Sequence, residues 1–165
     1  MPRRRDGWQK WYFAYGSNLS TDQIVKRIGT ITEAKRARLD GRRIAFNKRG
    51  SDGTGKANIV PDAGRRVWGV VYRVSPAALD EMDGYEGVAE GHYARSAVRV
   101  TCASGDETNA VTYVAGDAFL DDSLSPSADY LQTILRGARA HCLPEDYIRE
   151  IEEAARLGQG HGQQP

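Results

Sequence analysis

Short runs of apolar and aromatic residues dominate the hydrophobic pattern, which predicts a chain built mainly from β-strands. Aromatic residues crowd positions 11–15, and a β-branched and aromatic run lies within residues 65–75. Both compositions are typical of strands. Two further strands are predicted within residues 91–116, joined by a turn at residues 104–107.

Two stretches of the first half carry a weaker pattern. Residues 32–50 contain the apolar residues Leu39, Ile44 and Phe46, which predict one or two strands with a turn near Asp40–Gly41. Residues 51–64 are rich in glycine and polar side chains, so we expect a loop there that holds only a short apolar piece.

Helix signals are fewer, and they begin at capping residues. The sequence predicts a helix that is capped by Ser20 or Thr21 and stops at Gly29, and a short helix from Ser75 to Gly84. Two more are predicted within residues 125–155 and are separated at Leu143–Pro144. Pro76 suits the first helical position, and Gly29 suits a helix stop.

Strands outnumber helices and do not alternate with them, which predicts the α+β class with a largely antiparallel or mixed sheet. The 165 residues suffice for one domain with a sizeable core. We assign that domain to residues 11–155. Residues 1–10 form an N-terminal arm, and the glycine- and glutamine-rich residues 156–165 are expected to be a disordered tail.

Charge is divided unevenly along a chain whose net charge is only +1. Residues 1–66 hold 16 Lys/Arg against 6 Asp/Glu, whereas residues 67–165 hold 7 against 16. A basic half is compatible with nucleic-acid binding. The basic residues form separate short groups without interleaved aromatics, however, so we expect the two halves to neutralise each other and predict no nucleic-acid partner.

The same inspection gives expectations about compartment. No apolar run approaches the ~20 residues that cross a bilayer, and no apolar segment follows the basic N-terminus. We therefore expect a cytoplasmic protein without a membrane partner. Cys102 and Cys142 show no metal-ligand spacing, so we interpret them as buried thiols and predict no metal. The sequence does not indicate an oligomeric state.

The stretch Tyr15–Leu19 is the first candidate site, because a polar turn directly follows a hydrophobic strand. Backbone N–H groups at the start of a helix are unpaired and attract anions. Gly16 lets a ligand approach the backbone, and Ser17 and Asn18 add polar side chains. Spacing alone leaves a plain cap and turn as the alternative.

Residues 80–93 are the second candidate, with carboxylates, glycines and tyrosines around a helix end. Glu86 lies in the turn between an aromatic and an apolar neighbour, where partial desolvation would raise its pKa and make it a usable base. The other acidic residues are interpreted as surface charge. Asp83 is expected to point to water, the alternative being a close pair with Glu86. His92 is a possible second titrating group.

Taken together, the segments YFAYGSNL, VWGVVY, LDEMDGYEGVAEGHY, VTYVAG and the pair SPSADYL and LPEDYI resemble the γ-glutamylcyclotransferase family. The likeness runs from about Tyr12 to about Ile151 and keeps the order and spacing of the motifs. YGSNL is the most specific of them.

The resemblance implies a small mixed β-barrel with flanking helices. It also implies an enzyme without metal or organic cofactor that cyclises a γ-glutamyl compound to 5-oxoproline and releases an amine or amino acid. By the same resemblance, Glu86 is the catalytic general acid/base. The implied substrate-binding residues are Tyr15, Gly16, Ser17, Asn18, Leu19, Tyr93, Tyr113 and Tyr130.

The sequence does not identify the γ-glutamyl substrate. We expect the leaving group to meet residues 47–58 and 117–129, where the basic stretch from Arg42 to Lys56 would favour an acidic leaving group. Two alternatives stay open. One is a cyclotransferase for a specialised γ-glutamylated metabolite, and the other is a non-enzymatic small-molecule binding protein on the same scaffold.

Overall fold

The structure is a computed structural model that describes residues 9–162. This part of the chain contains five strands and four helices. The strands are β1 (Lys10–Ala14), β2 (Ala34–Arg49), β3 (Gly55–Val74), β4 (Tyr93–Cys102) and β5 (Glu107–Ala115). The helices are α1 (Thr21–Ile28), α2 (Pro76–Tyr85), α3 (Ala128–Ala140) and α4 (Glu145–Gly162).

The strands close into a barrel in the order β1-β3-β2-β4-β5. Every neighbouring pair is antiparallel except β1 and β5, which meet in parallel where Tyr12 lies opposite Val111. Closure removes free strand edges from the sheet. The small mixed barrel with flanking helices that the resemblance implied is therefore confirmed.

Strands β2 and β3 form a long ribbon, which corrects two expectations. Strand β2 does not turn at Asp40–Gly41; instead it continues through a bulge, where the register shifts and Gly41 has a φ of +81°. The loop expected over residues 51–64 is wrong from Gly55 onward, because Gly55 already pairs with Arg49. Residues 61–66 are mostly exposed on both faces of the ribbon, so no hydrophobic alternation marked them as strand.

The predicted helix caps are confirmed. The Ser20 hydroxyl accepts a hydrogen bond from the Gln23 N–H at 3.3 Å, and the Ser75 hydroxyl accepts one from the Ala78 N–H at 3.1 Å. Gly29 ends α1 with a φ of +89°. The predicted break between the last two helices lies between Ala140 and Glu145.

The expected disordered tail is wrong over residues 156–162, because α4 continues through Gly162. Gly158 is buried, and a Cβ on it would lie 1.8 Å from the carbonyl oxygen of Leu124. This glycine therefore permits close packing of α4. Residues 163–165 and residues 1–8 of the arm lie outside the described residues, and Lys10 of the arm belongs to β1.

The core fills the barrel and the space beneath α3 and α4. Its fully buried side chains include Phe13, Val70, Val71, Ile134 and Ile151. Leu19 belongs to this core and is 0% exposed. The loop between β1 and α1 is therefore anchored at Leu19, its C-terminal end, by hydrophobic burial.

Ion pairs join the basic half of the chain to the acidic half, as expected. Arg49 pairs with Asp121 at 3.1 Å, and Arg65 pairs with Glu150 at 3.6 Å. Cys102 is buried as predicted, whereas the prediction for Cys142 is wrong, since it is exposed beyond the end of α3. Within residues 9–162, no helix has the length and apolarity needed to cross a membrane.

Candidate active site

The loop between β1 and α1 is the first wall of the site. The chain leaves β1 at Ala14 and makes one 3-10 turn over Ser17–Leu19. In that turn the Leu19 N–H donates to the Gly16 carbonyl at 3.0 Å, so only the N–H groups of Gly16 to Asn18 remain for the anion cradle predicted here. A Cβ on Gly16 would lie 3.1 Å from the Cβ of Ala57, so a side chain here would be tightly packed and Ala57 would have to shift slightly.

Asn18 ties this loop to the rest of the site. Its side-chain N–H donates to the Tyr12 hydroxyl at 2.9 Å and reaches Glu86 Oε1 at 3.5 Å. Its side-chain oxygen accepts from Gln23 at 3.0 Å and from Arg27 at 3.2 Å. Because buried amides need partners of this kind, Asn18 is held in one orientation beside Glu86.

Glu86 is positioned by the end of α2. Its N–H donates to the Met82 carbonyl at 2.9 Å, and the chain then turns at Gly87 with a φ of +63°. His92 packs where a Cβ on Gly87 would lie, at 2.9 Å. The glycine after the glutamate therefore serves both the turn and the approach of His92.

The carboxyl group of Glu86 is poorly solvated. Its side chain is 15% exposed, and Oε1 lies 3.8 Å from Arg27 Nη1. Burial raises the pKa of Glu86, and the charges of Arg27 and Lys48 oppose that rise without cancelling it. The group is thus shifted toward the range in which a carboxyl can accept and return a proton.

A small inner cavity of about 40 Å³ lies between the loop and Glu86. It is lined by Tyr12, Tyr15, Gly16, Ser17, Asn18, Ala57, Glu86, Tyr93, Tyr113 and Tyr130. The structure therefore brings together every predicted site residue except Leu19. That side chain lies in the core, because it packs against Gly137 of α3, and does not line this cavity.

Tyrosine hydroxyls surround the inner cavity. Tyr93 donates to the Ala57 carbonyl at 2.8 Å, and Tyr130 accepts from the Ala57 N–H at 3.0 Å. Burial is the main cause that raises the pKa of Tyr93, Tyr113 and Tyr130 above the ordinary tyrosine value. These phenols are therefore neutral hydrogen-bonding groups at physiological pH.

Asp83 departs from the expectation that it points to water. It accepts a hydrogen bond from the Tyr113 hydroxyl at 2.6 Å and from Arg95 Nε at 2.8 Å. Burial acts to raise the pKa of Asp83, but these donors outweigh it and hold that pKa below its usual value. The alternative of a close pair with Glu86 is not supported either, because Asp83 is not among the groups that shift Glu86.

A wider outer vestibule of about 540 Å³ adjoins the inner cavity. Ser17, Glu86, Tyr93 and Tyr130 line both spaces. The vestibule also presents the cations Arg27, Lys48 and Lys56. Part of residues 47–58 lines it as expected, whereas none of residues 117–129 does.

Comparisons with known proteins identify the family. A model of the AIG2-like family matches residues 66–151. The Bos taurus protein named gamma-glutamylcyclotransferase is 33% identical over 154 residues, which cover 90% of this chain and 80% of that protein. The Homo sapiens protein of the same name is 33% identical over 146 residues, covering 86% and 76%.

The chain belongs to the γ-glutamylcyclotransferase family. A solved structure titled "Gamma-glutamyl cyclotransferase" superposes with a TM-score of 0.80 at 32% identity, covering 87% of this chain and 86% of that one. A yeast γ-glutamyl cyclotransferase described as specific to glutathione has a TM-score of 0.63 at 15% identity, which shows a shared fold alone.

Several residues of this candidate site were not predicted. Gln23 and Arg27 reach Asn18 from the same face of α1, and their spacing of four residues was the signal that could have placed them together. Tyr12 and Lys48 lie within strands rich in aromatic and basic residues, respectively, and no local pattern set them apart.

Proposed function

We propose that this chain catalyses the intramolecular cyclisation of a γ-glutamyl group to 5-oxoproline, with release of an amine or amino acid. The observation that carries the proposal is the position of Glu86. It is a largely buried carboxyl of raised pKa at the junction of the two cavities, and it lies beside Asn18 of the YGSNL loop.

Glu86 acts as the general acid/base in this proposal. The substrate's α-ammonium becomes a nucleophile only when it loses a proton, which Glu86 accepts. The amine then attacks the γ-carbonyl carbon; one C–N bond forms, and the original amide C–N bond breaks. Glu86 gives this proton to the leaving nitrogen and then transfers the second proton that the attacking nitrogen loses. The lactam nitrogen thus keeps one hydrogen, the amine leaves as an ammonium, and no water or co-reactant is consumed.

The loop residues Gly16 to Asn18 hold the glutamyl head. Their backbone N–H groups suit the α-carboxylate or the oxyanion that develops at the γ-carbonyl. Confinement among the buried tyrosines folds the glutamyl chain toward a ring-like pose, and the intramolecular attack gains rate from that orientation. Ser17 is a hydrogen-bonding group here, since its hydroxyl accepts from Gln23 at 2.7 Å.

Release of 5-oxoproline from a substrate panel tests the proposal. The panel contains γ-glutamyl-alanine, γ-glutamyl-ε-lysine, glutathione and γ-glutamyl anilide, each incubated with the wild type and with Glu86→Gln. We expect turnover of at least one member that is lost in the variant. A folded wild type that turns over none of them would count against a cyclotransferase of these γ-glutamyl compounds, and it would favour a specialised metabolite or a binding role.

A further inference from the structure

Lys48 is a buried cation that opens into the outer vestibule. It lies on β2, is 4% exposed, and its ammonium is 2.6 Å from His92 Nδ1. The rings of Tyr93 and Phe119 lie against it, at 5.2 and 5.1 Å from Nζ to the ring centroids. Burying an ammonium costs free energy unless an anion or several acceptors compensate it.

The other two cations of the vestibule already have carboxylate partners. Arg27 lies 3.8 Å from Glu86, and Lys56 lies 3.3 Å from Asp52. Lys48 forms no ion pair with any carboxylate in residues 9–162. It is therefore the vestibule cation whose charge a bound anion would complement best.

The ammonium of Lys48 is also fixed in place. The His92 ring stacks on Phe119 with centroids 4.0 Å apart, and the backbone N–H of His92 donates to the Gly87 carbonyl at 3.0 Å. Lys48 Nζ lies within hydrogen-bond distance of Nδ1 of this ring, at 2.6 Å. A cation held in this way loses little conformational entropy when an anion binds.

We propose that Lys48 binds a carboxylate on the amine portion of the substrate and so selects γ-glutamyl amino acids or peptides over γ-glutamyl amines. This inference rests on the proposed function, which places the glutamyl head in the inner cavity and the leaving nitrogen at Glu86. Lys48 lines the vestibule but not the inner cavity, so it faces the leaving group.

Electrostatics agrees with that assignment. Burial lowers the pKa of Lys48, with a further contribution from the charge of Lys56, while Glu86 and Asp52 act in the opposite direction. A carboxylate bound beside Lys48 would favour its charged form. The site thus gains more from an anionic leaving group than from a neutral one.

The test compares γ-glutamyl-alanine with γ-glutamyl-ethylamine, which differ only by the carboxylate. We expect the wild type to favour γ-glutamyl-alanine in kcat/KM by about 30-fold, the effect typical of a desolvated charge pair. In Lys48→Met this preference should disappear, chiefly through a raised KM for γ-glutamyl-alanine. Because the charge of Lys48 also acts on Glu86, the readout is the ratio of the two kcat/KM values, and thermal unfolding checks the fold. Lys48→Arg should restore part of the preference.

Lys35→Met is the matched control. Lys35 lies on the same strand and over the Trp11 ring at 5.1 Å, but outside the vestibule lining, so this variant should keep the wild-type preference. Equal losses on both substrates in Lys48→Met would overturn the inference, because they would show Lys48 acting through Glu86. An unchanged preference would overturn it too, while leaving the proposed function intact.

Binding decides the question if the wild type turns over neither compound. Calorimetry with γ-glutamyl-alanine and γ-glutamyl-ethylamine should then show a carboxylate preference in the wild type that is lost in Lys48→Met. Equal affinity of the wild type for the two compounds would overturn the role of Lys48. Absence of turnover alone would count against the proposed function.

Discussion

Two carboxylates at the C-terminal end of α2, Asp83 and Glu86, lie in opposite electrostatic surroundings. On the face toward β4, Asp83 receives hydrogen bonds from Arg95 and Tyr113, and its pKa is held down. On the cavity face, Glu86 has Arg27 at 3.8 Å and Asn18 at 3.5 Å, and burial raises its pKa.

The difference shows that two carboxyl groups three residues apart are suited to different roles, one to stabilising the fold and one to proton transfer. A carboxylate with two close donors is stabilised as an anion and is a poor proton acceptor. A carboxyl that is buried with only distant donors can exchange a proton near neutral pH. Asp83 therefore fixes α2 against the barrel, while Glu86 is the group suited to general acid/base catalysis.

The largest expected effect is the loss of activity in Glu86→Gln. Because the amide cannot accept the α-ammonium proton, kcat should fall by about 100-fold or more. Asp83→Asn is the matched control, since it makes the same change three residues earlier. We expect it to keep most of the activity in an assay of 5-oxoproline release. Comparable losses in the two variants would remove the functional distinction between the two carboxylates.

A side chain at Gly16 should produce the next largest effect on activity, because it would occupy part of the inner cavity. Glu86 lines that cavity and Asp83 does not. The Cβ alone would lie 3.1 Å from the Cβ of Ala57 and 3.6 Å from the Tyr130 hydroxyl, and Gly16→Val adds two methyl groups beyond it. We expect KM to rise by about tenfold, with a smaller rise in Gly16→Ala. Steady-state kinetics and thermal unfolding separate this loss from misfolding. Full substrate affinity in a folded Gly16→Val would argue against the cradle.

The two carboxylate variants should affect the free energy of unfolding in the opposite order to their effects on activity. Asp83→Asn weakens the charged hydrogen bonds to Arg95 and Tyr113, so the free energy of unfolding at pH 7 should fall by about 1–2 kcal/mol. Glu86→Gln should leave that free energy unchanged or slightly raised, since it removes a poorly solvated anion. Urea unfolding measures both, and a greater loss in Glu86→Gln than in Asp83→Asn would contradict the comparison.

The pH dependence of these differences follows from the directions of the two pKa shifts. The folded-state pKa of Asp83 is lowered, so its stabilisation is present above the unfolded value of about 3.9 and is lost as pH falls through the folded pKa. The folded-state pKa of Glu86 is raised, so its favourable contribution exists below about 4.3 and is lost as pH rises through the folded pKa. Unfolding at pH 4 should therefore narrow the difference between Glu86→Gln and the wild type, whereas the difference for Asp83→Asn should be lost only at a lower pH, where folded Asp83 itself becomes protonated.

Much of the fold was predictable because its signals are local. Apolar runs marked the central strands, and the serine caps at residues 20 and 75 marked two helix starts. The errors lie where tertiary contacts override local composition. The exposed part of the β2–β3 ribbon lacks hydrophobic alternation, and Gly158 serves close packing against Leu124 inside a helix.

The site was predictable in part, and only through its motifs. The YGSNL loop and Glu86 were identified, and they do meet at the inner cavity. Arg27 was not found, because it reaches the site from α1, and Lys48 was expected only as part of the basic stretch from Arg42 to Lys56 and not singled out. The partners of Asp83 were missed for the same reason, since Arg95 and Tyr113 lie on β4 and β5.

The most direct test of the central claim is to measure the pKa of Glu86 by ¹³C NMR of its carboxyl group alongside the pH dependence of kcat/KM. The account predicts that kcat/KM falls on the acid side with a pKa above the ordinary glutamate value of about 4.3, and that the NMR titration gives the same value. The same acid limb should persist in Asp83→Asn. An acid limb that titrates apart from Glu86, or that remains at full amplitude in Glu86→Gln, would contradict its role as the general base.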